Sequence, residues 1–183
     1  MRRFAVPFIL IFALLAENGV AASPKPGIVG IRGQARGREA RVLFALQNAF
    51  TPEMVEALKS GIEISFKTVV RVERVHKRWF DESMGELKFS RSVRYDSLSR
   101  VYRLHRGAGE ELLHDVHAAL AGMTQYEIVV PLTRAVERGK TYRVYARSRL
   151  DKVGLSEPLQ SIFFFSSLWD VETDWARGYL SAQ

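Results

Sequence analysis

Alternation of apolar and polar residues predicts the central β-strands of this chain. Between residues 62 and 73 the apolar Ile62, Ile64, Phe66, Val70 and Val72 alternate with the polar Glu63, Ser65, Lys67, Arg71 and Glu73. Only a half-buried strand explains a period of two. The pattern returns at residues 87–95 and, after a turn, at 100–105, which is typical of a hairpin. Shorter apolar segments predict five further strands, at residues 28–31, 40–47, 126–130, 140–150 and 159–166.

Two short helices are predicted between these strands. Thr51 followed by Pro52 is a favourable helix start, because threonine caps the first turn and proline suits its first position; Gly61 ends this helix. Residues 110–123 carry leucines and a valine at helical spacing and predict the second helix. Many strands at short intervals with two brief helices indicate a mainly β fold, an antiparallel β-sandwich of the immunoglobulin-like kind.

The first 22 residues have the order of a secretory signal peptide. Arg2 and Arg3 precede an apolar run at residues 4–16, and small residues up to Ala22 suit a signal peptidase. Thirteen helical residues would reach about 20 Å, less than the ~30 Å hydrocarbon core of a bilayer. We therefore expect export to the periplasm or cell envelope of a Gram-negative bacterium, with retention of the segment as an anchor left open. A flexible lead-in at 23–27 and a single domain at 28–183 are expected to follow.

Composition limits the chemistry and reveals segregated charge. The chain has no cysteine, which excludes disulfides, thiol nucleophiles and zinc–thiolate sites, and its formal net charge is +7. Residues 71–106 hold ten basic and five acidic residues, and residues 134–152 hold seven and two. The charge is therefore concentrated in two segments that are both predicted to contain strands.

A basic face follows if these strands are neighbours, because alternate residues of a strand share one side of a sheet. Such a face would attract anionic lipid, an acidic polysaccharide or an envelope protein; export argues against nucleic acid. A solvated surface with surplus cations is the alternative. The aromatic segment 163–175 is the second predicted contact region. The residues predicted for the binding surface are Arg91, Arg94, Arg103, Lys140, Arg143, Arg147, Arg149, Phe163, Phe165 and Trp169.

Two clusters suggest catalysis instead. His114 and His117 lie three residues apart on the predicted second helix, close enough to share a cation, although a third ligand is not evident. Asp81 and Glu82 follow Trp79 and Phe80, a pair expected to plug an edge of the sandwich; paired carboxylates can act as acid and base. No serine elbow or phosphate-binding glycine loop is present. The prediction is a non-catalytic binding module without a cofactor, with a metal-dependent or carboxylate-based hydrolase as the alternative.

Several stretches, in this order, resemble an exported bacterial family of unknown function, DUF4390. They are residues 57–61 leading into the strand at 62–66, then 79–81, 94–95, 98–99, 142–151, Trp169 and Trp175. The resemblance implies a small secreted or envelope-associated protein whose gene often neighbours that of a nitrogen-type sensor histidine kinase, and it supplies no catalytic residues. A second alternative is therefore an accessory protein to a membrane sensor kinase. The histidine-bearing segment 110–117 departs from the family pattern.

Overall fold

The computed structural model describes residues 24–151 and 171–182. Within them the fold is mainly β, as predicted, with two short helices, α1 (Pro52–Lys59) and α2 (Val116–Thr124). The strands are β1 (Gly27–Arg36), β2 (Glu39–Gln47), β3 (Ile64–Arg74), β4 (Glu82–Asp96), β5 (Val101–Arg106), β6 (Gly109–Leu113), β7 (Gln125–Pro131), β8 (Tyr142–Leu150) and β9 (Ala176–Ala182). The predicted signal peptide, the predicted strand at 159–166 and the contact residues Phe163, Phe165 and Trp169 lie outside the described residues.

All nine strands belong to one sheet, in the order β6-β5-β4-β3-β8-β9-β1-β2-β7. Neighbours are antiparallel except β1 and β9, which pair in parallel and join the two ends of the described chain. The predicted hairpin of β4 and β5 is confirmed. The immunoglobulin-like sandwich is not confirmed, because the described strands form one sheet and not two stacked ones.

The sheet curls until the far edge strand β7 reaches β4. The backbone N–H of Thr133, just after β7, donates to the carbonyl of Met84 at 2.8 Å. At Gly85 a Cβ would lie only 2.3 Å from the carbonyl oxygen of Pro131, so glycine is required for this approach. Alternation predicts one apolar face per strand, but it does not distinguish a face covered by a second sheet from one covered by the curl of its own sheet.

The core fills the concave side of this curl. Val70, Val72, Val144 and Ala146 are fully buried there on adjacent strands. Helix α1 packs Met54 and Leu58 against the same core, and the Thr51 hydroxyl accepts from the Met54 backbone N–H at 3.3 Å. The predicted first helix and its cap are therefore confirmed.

The predicted helix at 110–123 is wrong over residues 110–115. A turn at Gly107, with φ +61°, sends the chain back along β5 as β6, so residues 109–113 are a strand. Asp115 then caps α2, its carboxylate accepting from the Ala118 backbone N–H at 2.8 Å. Leucine spacing alone did not show this hairpin, whereas the glycine turn and the cap account for it.

Candidate functional site

The convex side of β3, β4 and β8 carries a continuous set of cations. Strand β3 lies between the other two and adds its own cations, which the sequence analysis did not assign to the surface. We call this set the outer basic face. It consists of Lys67, Arg71, Lys88, Arg94, Arg143, Arg147 and Arg149. The basic strands β4 and β8 are therefore not the direct neighbours that the prediction of a basic face required; β3 separates them, and its own cations connect theirs.

Carboxylates offset part of this charge. Glu86 contacts both Arg71 and Lys88, and these hydrogen bonds, that of Lys88 first, lower the pKa of Glu86. Arg147 pairs with Glu172 at 2.8 Å. Exposed ion pairs of this kind stabilise a protein by only about 0–1 kcal/mol each. An anionic partner with several charges could therefore replace these carboxylates.

A shallow groove of about 630 Å³ crosses the outer basic face beside Trp175. The guanidinium of Arg71 lies 4.7 Å above the centre of the Trp175 ring, which is a cation–π contact. Trp175 remains 40% exposed. The groove thus offers both positive charge and an aromatic surface.

The loop from β3 to β4, residues 75–81, presents two aromatic rings to solvent. Trp79 is 80% and Phe80 is 86% exposed, and their rings contact each other edge to face, with centroids 6.3 Å apart. The expectation that they plug a sheet edge is wrong. We call this segment the Trp79–Phe80 loop. Its base is held by the Val75 backbone N–H, which donates to the Thr141 carbonyl at 2.9 Å.

Cations surround the Trp79–Phe80 loop. Lys77 and Arg78 in the loop, and Arg138 and Lys140 in the adjoining β7–β8 segment, are exposed and have no ion-pair partner within the described ranges. Lys140 was predicted to lie in the strand at 140–150, but β8 begins at Tyr142. Lys140 therefore belongs to the end of the molecule that carries the Trp79–Phe80 loop.

The two predicted acid–base carboxylates pair with different arginines in this region. Asp81 lies 3.5 Å from Arg143 and accepts from the His76 backbone N–H, whereas Glu82 pairs with Arg134 at 2.9 Å. Each carboxylate thus pairs with its own arginine, and both also contact His76, Asp81 at the backbone N–H and Glu82 at the imidazole, 3.6 Å away.

The predicted histidine pair is also separated by the local structure. His114 precedes the cap of α2, and His117 lies in its first turn. Because the intervening Asp115 serves as the cap, the two imidazoles do not share a helix face. In the part of the chain that the structure describes, no three histidine or carboxylate side chains are grouped to hold a metal ion.

Two other predicted surface residues have distinct environments. Arg103 on β5 pairs with Asp96 at 3.0 Å and with Glu110 at 3.3 Å, next to Arg94 in register. Arg91 does not lie on the surface at all: it is 7% exposed and points to the concave side. The reason is its register, since Phe66 is its partner on β3 and faces the core.

Comparison with known proteins identifies the family of this chain. No curated protein and no solved structure matches the chain significantly. The model of a domain of unknown function, DUF4390, matches residues 29–178, which is most of the chain. The chain therefore belongs to the DUF4390 family.

Proposed function

We propose that this chain is an exported, non-catalytic module that binds an anionic lipid surface through the Trp79–Phe80 loop and the outer basic face. The observation that carries the proposal is the exposure of Trp79 and Phe80 beside four cations without ion-pair partners in the described residues. Large apolar rings at a loop tip are costly in water and favourable at a bilayer interface, where tryptophan is enriched.

The charge around the loop suits the same partner. Each lysine or arginine close to an anionic bilayer adds about 1 kcal/mol of attraction. Lys77, Arg78, Arg138 and Lys140 would together supply several kcal/mol while the rings insert. Arg143, which contacts Asp81 at the base of the loop, connects this end to the outer basic face.

Export and attachment are separate parts of the proposal. The signal-like order of residues 1–22 supports delivery outside the cytoplasm. Neither helix in the described ranges is long and apolar enough to cross a bilayer. Attachment by the loop and the outer basic face would therefore be peripheral and sensitive to salt.

Sedimentation with lipid vesicles tests the proposal. Purified protein is mixed at low salt with vesicles of neutral phosphatidylcholine or with vesicles containing 30% phosphatidylglycerol, a composition on the order of natural anionic leaflets. We expect binding to the anionic vesicles only, and at least about tenfold weaker partition for Trp79→Ser with Phe80→Ser. Charge reversal by Arg143→Glu with Arg147→Glu should abolish sedimentation.

Leu98 supplies the matched control, because it is 95% exposed in the distant β4–β5 turn. Leu98→Ser should leave sedimentation unchanged. Equal binding to neutral and anionic vesicles, or full binding by both loop and charge variants, would reject the proposal. In that case crosslinking in intact cells, with recovery of a sensor-kinase ectodomain, would favour the accessory-protein alternative.

A further inference from the structure

A second concave site lies on the other side of the sheet. A groove of about 950 Å³ runs between α2 and the strands that face it, which is within the size range of small-molecule sites. Part of its wall is aromatic and aliphatic and includes Phe44, Phe89, Tyr126, Leu43 and Ile128. Charged side chains, among them Arg106, Glu111 and Glu127, line the rest. Phe44 and Tyr126 stack with ring centroids 4.7 Å apart. The groove thus has a preformed apolar wall.

Arg91 places a buried positive charge in this wall. Its Nη1 donates to the carbonyls of Gly122 and Gln125, both at 2.6 Å, and its guanidinium lies 4.0 Å above the Tyr126 ring. These contacts hold the guanidinium still, and they use one of its nitrogens. Nε and Nη2 make no hydrogen bond to any residue in the described ranges. Two donors in a fixed fork therefore remain for a ligand.

No carboxylate neutralises this charge. Within the described residues none lies within ion-pair distance of Arg91, and an arginine cannot lose its proton to escape burial. Arg106 lies opposite Arg91 in the β4–β5 register and lines the same groove. Burial lowers the pKa of Arg91, Tyr126 opposes this shift, and Arg106 adds a smaller lowering. Arg106 itself pairs with Glu111 at 3.0 Å, so among the described residues the buried cation of this groove without a carboxylate is Arg91.

Helix capping explains only part of this arrangement. Gly122 and Gln125 belong to the C-terminal end of α2, where a cation is favourable. A lysine or a surface arginine could meet that need without an aromatic wall or an open groove. Gly122 itself is packed so tightly on Leu104 that a Cβ would lie 2.4 Å from it, which fixes the helix end in place.

We infer that the groove binds a single-chain amphiphile through its carboxylate head, with Arg91 as the partner of the head and the aromatic wall as the partner of the chain. A guanidinium fork matches a carboxylate in two hydrogen bonds, and burial strengthens them. A free inorganic anion is not the best occupant, because such an anion would leave the apolar part of the groove without a contact. This site is independent of the proposed attachment to membranes.

Competition for a fluorescent fatty acid tests the site in the absence of vesicles. The purified full chain, after removal of bound lipid, is titrated with cis-parinaric acid and then with dodecanoate, dodecanol or acetate. We expect dodecanoate to compete at least tenfold better than dodecanol, and acetate not to compete. Equal competition by dodecanoate and dodecanol would overturn the assignment of the head group.

Two variants distinguish recognition of the ligand's carboxylate head from recognition of its alkyl chain. Arg91→Met should weaken the binding of dodecanoate at least tenfold and leave the binding of dodecanol nearly unchanged. Because Arg91→Met also removes contacts to α2, Ala121→Trp serves as a second variant. The tryptophan fills the groove from the half-buried face of α2 and should abolish the binding of both ligands. Val129→Trp, on the exposed face of the edge strand β7, is the matched control and should bind normally.

The outcome is distinguishable from that of the vesicle experiment. Ala121→Trp should retain sedimentation with anionic vesicles, and the loop variants should retain dodecanoate binding. Full dodecanoate affinity in Ala121→Trp would show that the ligand lies elsewhere and would overturn the inference.

Discussion

Strands β3, β4 and β8 carry polar and charged side chains on both faces, and the two faces accommodate them differently. On the convex side the cations are partly or fully exposed, and several share carboxylates such as Glu86 and Glu172. On the concave side polar groups are held by specific contacts: Arg91 lies on two carbonyls and a ring, and the Thr68 hydroxyl lies 3.0 Å from that of Ser148. Charge outside the sheet is thus exchangeable, whereas inside it is fixed by geometry.

The largest expected difference in the free energy of unfolding is between replacing an arginine on the concave side and replacing one on the convex side. Arg91→Met leaves the carbonyls of Gly122 and Gln125 without their donor and should lower the free energy of unfolding by about 2–4 kcal/mol. Arg149→Met, on the outer basic face, should change it by less than about 0.5 kcal/mol. Urea unfolding followed by circular dichroism measures both. Similar losses in the two variants would contradict the distinction between the faces.

The buried hydroxyl pair gives the next largest effect. Thr68 and Ser148 are almost fully buried, so Thr68→Val leaves the Ser148 hydroxyl without this partner and should cost about 1–2 kcal/mol. Adding Ser148→Ala removes both hydroxyls and should recover part of the loss. The double-mutant cycle from thermal or urea unfolding measures the coupling between them. Simple additivity of the two single losses would show that the hydroxyls do not depend on each other.

Most of the strands could be predicted because each has one buried and one exposed face. The alternation at 62–73 and 87–95 became β3 and β4, and the Thr51–Pro52 start became α1. The single curled sheet could not be predicted, because it depends on close approaches such as that of Gly85 to Pro131, which have no local signature. The hairpin at β6 was missed because its leucines also fit a helix.

The candidate sites were only partly predictable for the same reason. The cations of β4 and β8 were found from alternation, but their meeting across β3 depends on strand order. Arg91 was placed with the surface arginines although it occupies an inward position between Phe89 and Val93. That break in an apolar series is the signal that would have identified it. The exposure of Trp79 and Phe80 had no such signal, since an aromatic pair after a strand is equally compatible with burial.

A smaller effect is expected for an ion pair on the outer basic face. Arg147 and Glu172 lie 2.8 Å apart with both side chains partly exposed, so Arg147→Ala should cost about 0–1 kcal/mol. Screening predicts that most of this loss disappears in 1 M salt, where the Debye length is about 3 Å. Unfolding of both proteins at low and high salt measures the difference. A large loss that salt does not reduce would indicate that Arg147 acts through packing and not through its charge.

The smallest expected effect on stability is confined to acidic pH. The pKa of Asp96 is lowered to about 2, chiefly by the Ser99 backbone N–H and then by Arg103 and the Ser99 hydroxyl. Because the folded pKa lies below the ordinary value of 3.8, the stabilisation from Asp96 is complete above about pH 4 and is lost as the pH falls towards 2. Asp96→Asn should therefore flatten the acid limb of the stability profile and leave its slope at neutral pH unchanged. An acid limb identical in Asp96→Asn and the unaltered protein would show that the turn at residues 96–99 does not hold the carboxylate in solution.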